Sequence, residues 1–125
     1  MVVTITQWVL RISALIALIL GILFWTGSAP NTLILVHITL GVLVTLSLWV
    51  LGFMFGRAKG GNWGLAAVAL VWGLLVIGVG GSQIGQDPST ALKIIHLLIG
   101  LLAIGVGEMV GGRYKRLNVA RAQTM

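Results

Sequence analysis

Hydrophobic positions fall in four long runs, which are separated by three short links of polar and small residues. The runs cover about residues 6–26, 32–55, 63–84 and 91–111. Each is close to the ~20 residues that an α-helix needs to cross ~30 Å of hydrocarbon at ~1.5 Å per residue. The pattern therefore predicts four transmembrane helices within a single domain that covers residues 1–125.

The three links, residues 27–31, 57–62 and 85–90, each contain glycine or proline and consist mostly of residues that break or cap helices. Asn31 and Thr90 stand just before the second and fourth runs, and we expect them to cap those helices. Links this short make consecutive helices antiparallel neighbours. The expected fold is therefore all-α, an up-down-up-down four-helix transmembrane bundle.

Basic residues gather on one side of the predicted bundle. They follow the second and fourth runs, at Arg57, Lys59, Arg113, Lys115, Arg116 and Arg121, whereas links 27–31 and 85–90 contain no Lys or Arg. Positively charged segments are retained on the cytoplasmic side of a membrane. We therefore expect a protein of the prokaryotic cytoplasmic membrane with both termini in the cytoplasm and a basic cytoplasmic tail over residues 112–125.

Composition restricts the classes of function. With 58% hydrophobic residues and a mean hydropathy of +1.11, the chain is too apolar for a water-soluble domain. Its formal net charge of +6 does not predict nucleic-acid binding, because the basic residues lie at the ends of apolar runs and not on a soluble face. The absence of cysteine excludes disulfides, thiolate metal sites and covalent haem attachment. No hydrolase, nucleotide or zinc motif is present, so we do not expect an enzyme that acts alone.

Two histidines lie inside apolar runs, where an unpaired polar ring is costly. His37 and His96 each stand six residues beyond an expected helix start, which places both rings about 9 Å below it. The second and fourth helices should run in the same direction at opposite corners of the bundle. The two rings should therefore face each other at one depth, where neutral imidazoles are able to ligate haem iron from both sides.

Small and basic residues accompany this pair. Gly41 and Gly100 each follow a histidine by four residues, hence on the same helix face, where they leave room for a flat macrocycle between slightly splayed helices. Glycine is also common at membrane helix contacts that hold no cofactor. Lys93, three residues before His96, is placed either to offer its ammonium to a haem propionate or to extend towards lipid headgroups.

The four runs and the paired motifs His37-x-x-x-Gly41 and His96-x-x-x-Gly100 resemble the small four-helix membrane b-type cytochromes. In that family, histidines on different helices ligate non-covalent haem b. The resemblance implies electron transfer, with a quinone or a redox protein as partner, as a subunit of or partner to a larger membrane complex. Many members with two haems carry four such histidines, so the two histidines here imply one haem.

Two other functional classes stay open. The chain could be a helical scaffold or accessory subunit of a membrane complex, or a small proton-coupled transporter that uses Glu108 and a histidine. For Glu108 we favour a structural role. Arg11 and Glu108 should lie towards the same end of neighbouring antiparallel helices, where an ion pair would relieve the cost of two intramembrane charges.

Overall fold

The structure, a computed structural model, describes residues 1–84 and 87–124, and throughout these ranges the regular elements are helical. They are α1 (Val2–Trp25), α2 (Ile34–Arg57), α3 (Trp63–Gly81) and α4 (Thr90–Thr124), with a short 3₁₀ turn at Asn31–Leu33 before α2. The all-α four-helix prediction is confirmed. Of the predicted third link and tail, residues 85, 86 and 125 lie outside the described residues.

All four helices are long and apolar enough to cross a membrane, with mean hydropathies of 2.1 to 2.3 in their most apolar segments. Their outer faces carry large exposed hydrophobic side chains, among them Leu15, Leu35, Leu74 and Leu102. An apolar surface of this extent is unfavourable in water and favourable in lipid. The chain is therefore a multi-pass membrane protein whose outer surface is suited to lipid contact.

The helices pack so that α2 and α4 form an inner diagonal. Helix α1 packs against α2 and α4, α3 packs against the same two helices, and α2 contacts α4 across the centre. Contacts join the end of α2 to the start of α3, where Gly56 lies against Trp63, and the end of α3 to the start of α4, where Gly80 lies against His96. Such contacts are those expected of antiparallel neighbours. We call the end of the bundle that contains residues 57–62 and 112–124 the basic end. The opposite end, which contains His37 and His96, is the histidine end.

The starts of α2 and α4 differ in detail from the prediction. Asn31 makes no capping hydrogen bond through its side chain but begins the 3₁₀ turn, and α2 starts at Ile34, so its predicted capping role is wrong. Thr90 is the first residue of α4, and the cap is the preceding Ser89, whose Oγ accepts a hydrogen bond of 3.2 Å from the backbone N–H of Leu92. Helical structure nevertheless begins at residues 31 and 90, so the two histidines keep equal distances from those starts.

Helix α4 continues through residues 112–124, the described part of the predicted tail. Most of these residues are good or moderate helix formers, and none is proline, so nothing in the sequence ends the helix. A helix of 35 residues is about 52 Å long, which exceeds ~30 Å of hydrocarbon. The basic part of α4 therefore extends beyond the membrane-spanning part as a helix.

The hydrophobic core is concentrated in the half of the bundle next to the basic end. Among its most completely buried side chains are Leu10, Leu48, Leu51 and Val110, contributed by α1, α2 and α4. Leu10 packs against the backbone of α4 at Gly107, where any side chain would overlap it. Glycine at this contact thus allows α1 and α4 to approach closely.

The histidine end is loosely packed by comparison. Over the described ranges, α2 has no buried residue before Val44, α3 has none after Val76, and α4 has none before Ala103. In α2 and α4 the buried layer begins at the same distance from the helical start, thirteen residues in both cases (31 to 44 and 90 to 103). Helices α2, α3 and α4 therefore bury fewer side chains around the histidines than at the basic end.

Two tryptophan side chains connect α3 to the inner diagonal. The indole N–H of Trp49 donates to the carbonyl oxygen of Leu70 at 3.0 Å, and that of Trp72 donates to the carbonyl oxygen of Ile99 at 3.0 Å. Gly73 makes room for Trp49, because a Cβ there would lie 2.5 Å from Nε1 of the indole. Both polar indole groups are thereby satisfied inside an apolar bundle.

The predicted ion pair between α1 and α4 is confirmed. Nε of Arg11 lies 2.6 Å from Oε1 of Glu108, and Nη2 lies 2.8 Å from Oε2, so the guanidinium donates to both carboxylate oxygens. The guanidinium carbon also lies 4.8 Å from the centroid of the Trp8 ring. Because α1 and α4 are not joined by a link, this two-bond contact helps to fix their register.

Replacement of one member of this pair should destabilise the bundle more than replacement of both. In Arg11→Met or Glu108→Met an unpaired charge remains in the membrane-spanning part, whereas the double variant Arg11→Met with Glu108→Met leaves none. Stability can be measured by unfolding in mixed micelles with increasing sodium dodecyl sulfate, followed by circular dichroism. The double variant should be more stable than either single variant. If the double variant instead loses as much stability as the two single variants together, the contact contributes nothing to stability.

Candidate functional site

The rings of His37 and His96 meet between α2 and α4, as the matched positions in the sequence predicted. Their centroids are 6.1 Å apart, and the ring planes make an angle of 64°. Both side chains are half-buried. The chain thus places its two imidazoles side by side at one depth in the bundle.

Each ring also packs against a flanking helix. The ring of Phe24 on α1 makes an edge contact with His37, with centroids 5.7 Å apart, and Cε1 of His37 would lie 3.5 Å from a Cβ added at Gly21. On the other side, Cε1 of His96 would lie 3.2 Å from a Cβ added at Gly80 on α3. Gly80 was missed by the sequence analysis, because only the packing of α3 on α4 reveals that it faces a histidine.

Both histidines have a buried nitrogen without a partner. Nδ1 of His37 and Nδ1 of His96 make no hydrogen bond to any described residue, and the only other buried side-chain atom of this kind in the described ranges is Oε1 of Gln7. A buried polar atom left unpaired costs about 1–3 kcal/mol, so native proteins satisfy nearly all of them with protein, water or an ion. Nδ1 of His96 lies on the side of the ring next to Gly80, where an added Cβ would be 3.8 Å away. Imidazole nitrogens on two adjoining rings have the chemistry to bind a metal.

Open space adjoins the two rings. Gly41 and Gly100 are half-buried, each one helical turn beyond its histidine, and a Cβ added at either would meet no other atom within 4 Å. At Gly73 and Gly107, deeper in the bundle, the corresponding space is instead filled by protein side chains. Space is therefore left over the glycines next to both histidines, as it also is over Gly105 and Gly112 further along α4.

Lys93 lies one turn from His96, towards the start of α4, and is half-buried. Among the described residues its ammonium group makes no hydrogen bond or ion pair. Residues three apart share a helix face, so its ammonium belongs to the same side of α4 as the imidazole. A cation in this position is able to meet an anionic group that lies beside the ring.

The set of donors restricts the kind of metal that would fit. The described ranges hold no group of three or more His, Cys, Asp or Glu side chains, whereas protein-bound zinc takes three or four such ligands. Two imidazoles alone suit a metal whose other positions are filled by a macrocycle. The two rings touch edge to face, with centroids 6.1 Å apart, so both imidazoles are available in one place to such a group.

No family model, curated protein or solved structure matches this chain. Its function must therefore be inferred from its own side chains.

Proposed function

We propose that the protein is a membrane-embedded b-type cytochrome that holds one non-covalent haem b and serves in electron transfer. The observation that carries this proposal is the contact of two intramembrane imidazoles, 6.1 Å apart, each with an unpaired buried nitrogen. Haem iron, when bound, accepts and releases one electron.

The residues around the rings fit this group. His37 and His96 would hold the haem iron, and the open space next to Gly41 and Gly100 would accept part of the macrocycle. Lys93 would direct its ammonium to a propionate. The loose packing of the histidine end supports this assignment, because a flat apolar group there would take the place of the core side chains that α2 and α4 lack.

Electron transfer suits this donor set better than substrate chemistry does. With both His37 and His96 holding the haem, little chance would remain for oxygen or a substrate to reach its iron. The sequence also lacks any motif for a second catalytic group. The protein would therefore act as an electron carrier, as a subunit of or partner to a larger redox complex.

The position of the basic residues and the depth of the histidines indicate how the protein would lie in the membrane. In a prokaryotic cytoplasmic membrane, the proposed location, the positive-inside rule would put the basic end, and with it both termini, on the cytoplasmic side. The histidine end would then lie towards the outer leaflet. A quinone in the membrane or a redox protein at the outer surface would have the shortest path to this site.

The contacts of Glu108 argue against proton-coupled transport. Both carboxylate oxygens bind the guanidinium of Arg11. Glu108 also lies twelve residues from His96 along α4, which corresponds to about 18 Å. A direct proton relay between these two groups is therefore not favoured, and a scaffold role alone gives no reason for the paired imidazoles.

An absorption spectrum tests the proposal. Protein purified from a haem-producing host should show a Soret band that shifts on reduction with dithionite. The double variant His37→Ala with His96→Ala should lose the band, because both axial ligands are gone. Ser47→Ala, a control at a buried polar position of α2 in the tightly packed half, should retain it.

Absence of the band from the unmodified protein, or full haem retention in the double histidine variant, would reject the cytochrome assignment. Circular dichroism of each variant separates loss of haem from loss of the helical fold.

Bulk placed beside the rings should reduce haem content without unfolding the bundle. Gly41→Leu with Gly100→Leu fills the space next to both histidines, where the added atoms meet little protein. The haem-to-protein ratio, measured by pyridine haemochrome assay, should fall, while the sodium dodecyl sulfate midpoint of the haem-free protein stays nearly unchanged. Gly105→Leu is a matched control, since Gly105 also has open space but is exposed on the outer surface.

An unchanged haem ratio in the Gly41→Leu, Gly100→Leu variant would place the cofactor elsewhere. A fall of equal size in the Gly105→Leu control would mean that the loss reflects helix packing in general.

A further inference from the structure

A cleft of about 350 Å³ opens at the basic end of the bundle. It is lined by Phe55, Gly60, Asn62, Arg113, Arg116 and Leu117. These residues come from the end of α2, from the link to α3 and from the part of α4 that extends beyond the membrane-spanning part. The cleft lies far from the histidines and is independent of the haem site.

The link and the extended α4 form opposite walls of this cleft. Arg113, Arg116 and Leu117 are three and four residues apart and so share one face of α4. Gly60 has a positive φ of 86°, and a Cβ there would lie 3.3 Å from Cδ2 of Leu117, so the turn runs close to the helix. The continuation of α4 as a helix is therefore what completes the site.

Asn62 supplies a polar group at the rim. Its Oδ1 accepts hydrogen bonds from the backbone N–H groups of Gly64 at 2.6 Å and Leu65 at 3.3 Å, and so caps α3. Because the oxygen is used in this way, the orientation of the amide is fixed and its NH₂ group remains able to donate. This donor stands in the same cleft as the two guanidinium groups.

No acidic side chain balances the charge of the cleft within the described ranges. The only acidic residues are Asp87 and Glu108. Glu108 is bound to Arg11, and Asp87 precedes α4 at the opposite end of the bundle. Arg113 and Arg116 are exposed and have no carboxylate partner in the described ranges. Guanidinium groups bind phosphate oxygens in pairs of parallel hydrogen bonds, so an anionic phosphate is the complementary ligand.

Aromatic side chains place the cleft at the level of lipid headgroups. The rings of Phe53 and Trp63 lie on the outer surface with centroids 6.2 Å apart, and the guanidinium of Arg57 lies 5.7 Å from the Phe53 centroid. Exposed tryptophan and arginine at the end of a membrane helix mark the interface between hydrocarbon and headgroups. A phosphate at this height would belong to a lipid.

The floor of the cleft is apolar, with Phe55 buried and Leu117 partly buried. A basic rim above an apolar floor matches an amphiphile that carries a phosphate. We propose that this cleft binds the headgroup phosphate of an anionic phospholipid, with Arg113 and Arg116 on its oxygens and Asn62 as an additional donor. Basic clefts between membrane helices are known to suit such headgroups.

Native mass spectrometry of the purified, full-length protein tests this assignment, with phosphatidylglycerol and phosphatidylcholine as the two probes. One phosphatidylglycerol should bind in preference to phosphatidylcholine. Arg113→Gln with Arg116→Gln should weaken phosphatidylglycerol binding by roughly tenfold, as expected for lost hydrogen bonds to a charged group. Arg57→Gln with Lys115→Gln removes the same charge from outside the cleft and should change binding less than twofold.

Equal weakening by the two double variants would overturn the site, because it would show general attraction to a basic surface. Equal binding of both lipids would overturn it as well. Displacement of phosphatidylglycerol by millimolar inorganic phosphate would identify a site for a soluble anion and contradict a lipid ligand. Circular dichroism checks that both variants remain helical. Since the three arginines are exposed and Lys115 is only half-buried, we expect the fold to be retained.

Discussion

Polar groups inside a helix bundle at the depth of the membrane hydrocarbon need hydrogen-bonding partners, and the rest of the structure depends on this requirement. Arg11 is held by Glu108, and the indole groups of Trp49 and Trp72 donate to carbonyl oxygens of neighbouring helices. Against this background, the nitrogens of His37 and His96 and Oε1 of Gln7 are the buried side-chain atoms of the described ranges that lack a partner. The proposed haem would give the two histidines a partner that they share.

Packing divides the bundle into two halves with different roles. At the basic end, leucine side chains fill the space over glycines, and the Arg11–Glu108 contact fixes α1 against α4. At the histidine end, helices α2 and α4 carry no buried residue until thirteen positions beyond their starts. The tightly packed half holds the inner diagonal in register, and the looser half is where the proposed haem would lie between the same two helices.

Hydropathy and residue spacing predicted the four helices, the Arg11–Glu108 pair and the meeting of the two rings. Long apolar runs and the spacing of residues can be read directly from the sequence. Because every α-helix has the same number of residues per turn, equal spacings give equal positions along two helices. The predicted cap at Asn31 failed because capping depends on the local backbone, which here enters a 3₁₀ turn. The contact of Gly80 with His96 and the cleft beside Gly60 arise from the packing of separate elements, and the extension of α4 was hidden because its residues are polar.

The central claim is that one iron is ligated by both imidazoles, and low-temperature electron paramagnetic resonance of the oxidised, purified protein addresses it most directly. The account predicts a low-spin ferric signal typical of two imidazole ligands, which either His37→Ala or His96→Ala should convert to another spin state or remove. A high-spin signal in the unmodified protein, or a low-spin signal unchanged in both single variants, would contradict it.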